Sequence, residues 1–208
     1  MMVESEELIS LLNHLEADGE PVEALQYTYY DRSELIQHSV SSGMLNAAIK
    51  LVEDKDPALR CMLIYSLYKE GYTELAERNI LEIASELIPL KPPYQEVAKI
   101  YGEILYDQAR FEEASSIFTS LAESCPSMVH IRYAVAACQL QEKIQRLTRR
   151  MELYHPDQDE RLKIEKYIQG FLDLLSLIGR TKWHTTWNDK QRLHLPQHLE
   201  ANLKQNRS

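Results

Sequence analysis

A small residue followed five positions later by alanine recurs four times, as Gly19…Ala24, Gly43…Ala48, Gly71…Ala76 and Ala109…Ala114. Glycine fits just past a helix end because it accepts positive φ without a Cβ clash. Alanine in the first turns of the following helix lets two helices come close after the chain doubles back. Successive turns are 24, 28 and 38 residues apart. Such spacing points to an irregular array of helical hairpins, each burying its apolar face on its neighbours.

The hydrophobic pattern agrees. Leu8, Leu11, Leu12 and Leu15 recur at three and four residues, as do Leu59, Leu63 and Leu67, then Leu75, Asn79/Ile80, Ile83 and Leu87. Sustained alternation of the strand type is missing. The pattern predicts helices near 4–17, 21–30, 32–42, 44–53, 57–70, 73–88, 93–108, 111–124, 128–154 and 158–178. The longest apolar runs, such as Cys61–Tyr65, fall far short of the roughly 18–20 residues a membrane crossing needs.

One stretch carries a recognisable residue order. Gly102, Leu105, Phe111, Ala114, Phe118, Leu121 and Pro126 follow one another at the spacing of a 34-residue helix–turn–helix repeat. In this reading Gly102 leaves room for the second helix, Ala114 faces it, Phe111 and Phe118 fill the gaps to neighbouring hairpins, and Pro126 ends the unit. A looser copy runs over Leu63, Ile64, Leu67, Gly71, Ala76, Ile80 and Ile83 to Pro89. The chain thus resembles the tetratricopeptide-repeat family, most closely over 95–128, less so over 57–94, and only in style over 1–56. The resemblance implies an all-α fold: a right-handed superhelix of antiparallel helical hairpins. Four regions are expected. They are short N-terminal hairpins (1–56), tetratricopeptide-like hairpins (57–128), an atypical hairpin with a C-terminal capping helix (129–179), and a basic polar extension (180–208).

Beyond Pro126 the repeat pattern fades. Ile144, Leu147, Met151 and Tyr154 continue one helical face until His155-Pro156-Asp157. Asp157 with Glu160 three residues on reads as a capping box. From Ile164 to Ile178 apolar side chains spread over roughly 160° of the next helix, wider than an ordinary surface stripe. That breadth suits a cap on the end of the stack, or a face for a second copy of the chain. In the extension, Trp183 and Trp187 are expected to pack on the last helices.

Charge and site residues narrow the function. The net charge is −9, which disfavours nucleic acid. Residues 180–208 hold six basic and two acidic side chains, so they carry +4 against −13 for the rest. Cys61, Cys125 and Cys138 form no C-x-x-C pair and read as small buried hydrophobes in a reducing, cytoplasmic setting. The acidic start, Met1 to Glu7, lacks the basic-then-apolar order of a secretory signal. None of the G-x-S-x-G, phosphate-loop, dinucleotide or H-E-x-x-H motifs occurs, so no enzyme is expected. His194 and His198 lie four apart, but Pro196 interrupts any regular helix between them. No metal site and no cofactor are expected.

Tyr154-His155-Pro156-Asp157 also resembles the signature of the J-domain co-chaperones, which stimulate the ATPase of a heat-shock chaperone. Arg146, Arg149 and Arg150 precede it, and Ile164, Tyr167, Gly170, Phe171 and Leu174 follow at similar spacings. The first J-domain helix has no counterpart here, and Arg150 stands where an apolar residue belongs.

In tetratricopeptide arrays the first helices of successive hairpins line a concave groove. That resemblance places Cys61, Tyr65, Tyr68, Lys99, Glu103, Tyr106 and Tyr133 on the groove side. Relatives that hold chaperone C-terminal tails clamp the carboxylate with Lys, Asn and Arg. Here Lys99 fits, but Glu103 replaces the Asn and would repel a carboxylate. The implied role is a non-enzymatic adaptor, scaffold or assembly factor that binds a neutral or basic protein or peptide. A peptide-sensing regulatory protein is the alternative. No membrane partner is expected, and the C-terminal apolar helix offers a face for a homodimer.

Overall fold

Three of the small-residue turns share one backbone form. Gly43, Gly71 and Ala109 adopt φ of 77°, 89° and 60°. At each, the N–H of the next residue bonds five residues back: Met44 to Ser39, Tyr72 to Leu67, and Arg110 to Leu105. The small residue itself bonds three back, to Val40, Tyr68 and Tyr106. These paired bonds close the last helical turn and satisfy carbonyls that would otherwise lack partners. The alanine five positions on, Ala48, Ala76 or Ala114, donates to the carbonyl of the residue before the new helix, and all three are fully buried. Ala109 meets the same demand with a Cβ, at a cost of about 1 kcal/mol. Gly19…Ala24 lies outside the described residues.

The structure, a computed structural model, describes residues 3–18, 32–52, 56–83, 94–181 and 183–185. Among them are nine helices and no strand: α1 (Val3–Asp18), α2 (Arg32–Ser41), α3 (Leu45–Lys50), α4 (Pro57–Lys69), α5 (Thr73–Glu82), α6 (Tyr94–Asp107), α7 (Phe111–Ser124), α8 (Val129–Tyr154) and α9 (Gln158–Gly179). The described secondary structure is all helical, as the periodicity predicts. The helix expected over 21–30, and the end of the one expected over 73–88, lie outside the described residues. Residues Val129–Tyr154, where the repeat pattern lapses, form one continuous helix, because neither Gly nor Pro interrupts them. No helix of the described residues is long and apolar enough to cross a membrane.

The chain forms two compact units, 1–100 and 101–208. In the first, α2 packs against α3 and also against α4, α4 packs against α5, and α1 packs against α3. Leu35, Ile36, Val40, Leu51, Leu63, Ile64, Leu67 and Ile80 fill its core. Polar side chains tie off the helix ends. Glu16 of α1 accepts the N–H of Ala47 at 2.7 Å, capping α3, whose preceding residue Met44 offers no side-chain cap. Lys50 in turn donates to the Leu15 carbonyl at 2.7 Å. Asp56 caps α4 through the Ala58 N–H, with Pro57 at the first helical position where no N–H is needed.

In the second unit α7 packs on α8, and α8 on α9. A Cβ placed on Gly102 of α6 would lie 2.6 Å from the Phe118 ring of α7. Residues 102 and 118 each stand eight positions from Arg110 in the turn, so the two helices run antiparallel. Their backbones approach closely where the glycine is. Phe118, rather than Ala114, therefore takes the space over Gly102, which departs from the sequence reading. Asp157 caps α9 through the Glu160 N–H, as the capping box predicts, and Glu160 pairs with Arg150 at 2.6 Å. The α9 helix buries Ile164, Ile168, Leu172 and Leu175 on one side. Tyr167, Leu174 and Leu177 point outward, so part of its wide apolar arc stays exposed.

Candidate functional site

Helical spacing puts Glu103, Tyr106 and Asp107 on one face of α6. Against this face lies a short non-helical stretch of the same chain, Trp183-His184-Thr185, which follows α9. Trp183 is fully buried. Its indole meets Tyr106 edge-on at 5.2 Å and Phe118 at 5.8 Å between ring centroids. Tyr106 in turn stacks edge-on with Phe111 at 5.1 Å, so rings from both helices of the hairpin form the floor and wall of an aromatic pocket.

The other half of the site is polar. Glu103 is fully buried, and its two carboxylate oxygens accept from the Thr185 backbone N–H at 3.1 Å and from the Thr185 hydroxyl at 3.2 Å. His184 lies between two carboxylates. Its Nε2 is 3.1 Å from Asp107 Oδ1, and its Nδ1 is 3.8 Å from Glu103 Oε2. An ionised carboxylate only accepts, so the imidazole donates to Asp107. These hydrogen bonds offset part of the desolvation cost of burying a carboxylate. The face of α6 thus reads an aromatic side chain, an imidazole, a hydroxyl and a main-chain N–H in succession.

The residues proposed for the groove fall into four places. Cys61 and Tyr68 on α4 are buried, while Tyr65 on the same helix is 37% exposed. Tyr65 lines a cleft of about 380 Å³ between α2 and α4, with Glu34, Gln37, His38, Lys69 and Glu70. Lys99 on α6 is nearly buried. Glu103 and Tyr106 are covered by the segment at 183–185. Tyr133 stands 42% exposed on α8.

Trp183, expected to pack on the last helices, has its ring contacts with Tyr106 of α6 and Phe118 of α7, which supply aromatic partners close to the end of α9. Asp107 escaped the sequence reading, although its place four residues after Glu103 on an apolar helix was the available signal. Trp187, His194 and His198 lie outside the described residues.

Burial holds the Cys138 thiol well above the usual range, and the nearby charge of Glu142 adds to this, so it is no nucleophile near neutral pH. At the start of α7, Arg110 donates to both oxygens of Glu113 at 2.8 and 2.6 Å. That pair of hydrogen bonds, with the positive charge of Arg110, lowers the Glu113 pKa. No group of three His, Cys, Asp or Glu side chains suited to a metal ion occurs among the described residues. Compared with family models, curated proteins and solved structures, the chain gives no match.

Proposed function

We propose that this chain is a non-enzymatic protein- or peptide-interaction module of the tetratricopeptide type, acting as a cytoplasmic adaptor, scaffold or assembly factor. In this reading its hairpins stack with a right-handed superhelical sense and α9 caps the end. The first helices present the recognition face, which takes neutral or basic polypeptide. The observation that carries the reading is the seating of Trp183-His184-Thr185 on α6. There a first-helix face already holds a piece of non-helical chain by ring packing and by a carboxylate on a main-chain N–H. A pre-formed surface of this kind avoids the ordering cost of a flexible binder. The polar cleft beside Tyr65 gives the first unit an accessible patch of its own.

Affinity capture with the full chain, repeated with Tyr65→Ala/Tyr133→Ala, tests the proposal. These two tyrosines are exposed enough to be replaced without opening the core. A defined polypeptide retained by the wild type and lost by the variant supports it. Failure of the wild type to retain any polypeptide contradicts it. Should the protein instead act as a peptide sensor, small-angle scattering will show compaction when the ligand binds.

A second reading has one structural observation in its favour. Tyr154-His155-Pro156-Asp157 sits at the tip between α8 and α9, where Tyr154 is 77% exposed and His155 takes φ of 43°. Two packed helices joined by such a tip suit the J-domain resemblance. Stimulation of a heat-shock chaperone ATPase that disappears in His155→Gln supports that reading, and no stimulation by the wild type removes it. The outward side chains of α9 leave a homodimer open to direct test by light scattering.

A further inference from the structure

The pocket on α6 and α7 has the composition of a recognition site more than that of a core contact. A core needs only apolar filling, and two carboxylates facing one imidazole add a desolvation cost that well-packed apolar side chains avoid. What carboxylates add is selectivity. Glu103 registers a main-chain N–H and a hydroxyl together, Asp107 registers an imidazole, and both disfavour an acidic residue. The buried tryptophan between Tyr106 and Phe118 is the kind of aromatic anchor that dominates peptide binding. Trp183 and His184 are buried, Thr185 is exposed, and three residues, 180–182, separate them in sequence from the end of α9.

We propose that Trp183-His184-Thr185 is a built-in stand-in ligand, and that the pocket accepts from a partner a non-helical segment of the same chemistry. That segment has an aromatic residue, then histidine, then serine or threonine, without a neighbouring acid. This rests on the binding role proposed above and names the ligand class for one part of that surface. The partner displaces the resident segment, so recognition and release of the C-terminal extension are coupled. Because the link is short, the resident acts at an effective concentration in the millimolar range. A peptide that binds the vacated pocket at roughly 10 µM is therefore about a hundredfold weaker on the intact chain.

The test uses the full chain and a fluorescent peptide of residues 180–188, read by anisotropy. Full-length Trp183→Ala, which vacates the aromatic half, binds the peptide at least about tenfold more tightly than the wild type does. The same peptide carrying Trp183→Ala does not bind, and adding Glu103→Ala to the protein weakens the complex by a further factor of about ten. A helical Trp183→Ala protein that fails to bind at 1 mM peptide overturns the inference, as does equal affinity for variant and wild type. Where Trp183→Ala fails to fold, His184→Ala/Thr185→Ala replaces it. That variant keeps the indole and removes the imidazole from Asp107 and the hydroxyl from Glu103, so it too binds more tightly than the wild type, and equal affinity overturns the inference. Capture of a partner that depends on Tyr65 and Tyr133, together with no peptide binding, sinks this inference alone. Loss of both sinks the binding-module reading as well.

Discussion

Replacing Gly102 with alanine ought to stabilise an isolated helix by about 1 kcal/mol, because alanine is the better helix former. Here the structure requires the opposite sign. The new Cβ falls 2.6 Å from Cζ, 2.7 Å from Cε1 and 3.1 Å from Cδ1 of Phe118. Phe118 is fully buried, and Trp183 closes on its ring at 5.8 Å, so the ring cannot swing into solvent. Either the α6 and α7 backbones part by several tenths of an ångström or the aromatic cluster repacks. Such overpacking costs about 1–3 kcal/mol, which outweighs the helical gain. The net expectation for Gly102→Ala is a loss of about 1 kcal/mol. Guanidinium titration followed by tryptophan emission reads it in the C-terminal unit, where Trp183 lies against Phe118. Trimming the ring should reverse the effect, so that in a Phe118→Leu background Gly102→Ala becomes neutral or stabilising. A Gly102→Ala protein whose midpoint equals or exceeds that of the wild type refutes the close approach of α6 and α7.

Three further outcomes follow from local geometry. Ala109→Gly should stabilise by about 0.5–1 kcal/mol, because it relieves a left-handed alanine, while Gly71→Ala should cost about 1 kcal/mol for the reverse reason; thermal melts of the pair check the signs. Cys138 should resist alkylation in the native protein at pH 8 and react only on unfolding, which mass spectrometry of iodoacetamide-treated protein resolves. Glu113 should titrate below an ordinary glutamate and return upward in Arg110→Ala, as carboxylate NMR shifts will show. Its folded pKa is depressed, so its contribution to stability is present above the unfolded value and fades as pH falls through the folded one.

The all-helical character and three of the turns were legible, because that punctuation is local. Gly43, Gly71 and Ala109 each take a positive φ, and Ala48, Ala76 and Ala114 are each fully buried at the start of the next helix, so residue type marks the turns. Asp157 and Glu160 marked the start of α9 in the same way. The site was less legible because its parts are distant. Glu103 and Thr185 are 82 residues apart, and Asp107 and His184 are 77 apart. No local pattern links them. A glutamate on a first helix reads as a solvent-facing groove residue until the segment that buries it is known. Trp183 stood out in the sequence as a ring to be packed, but its contact with Tyr106 of α6 and Phe118 of α7 depends on ring geometry that composition does not contain.

The grip of α6 on non-helical chain can be measured at one atom. In the native full-length protein, amide hydrogen exchange at Thr185 should be as slow as in the neighbouring helices, because its N–H is held by Glu103 Oε2. Glu103→Ala should release it. Exchange at Thr185 as fast as that of an unstructured peptide in the wild type would mean that the pocket does not hold the segment.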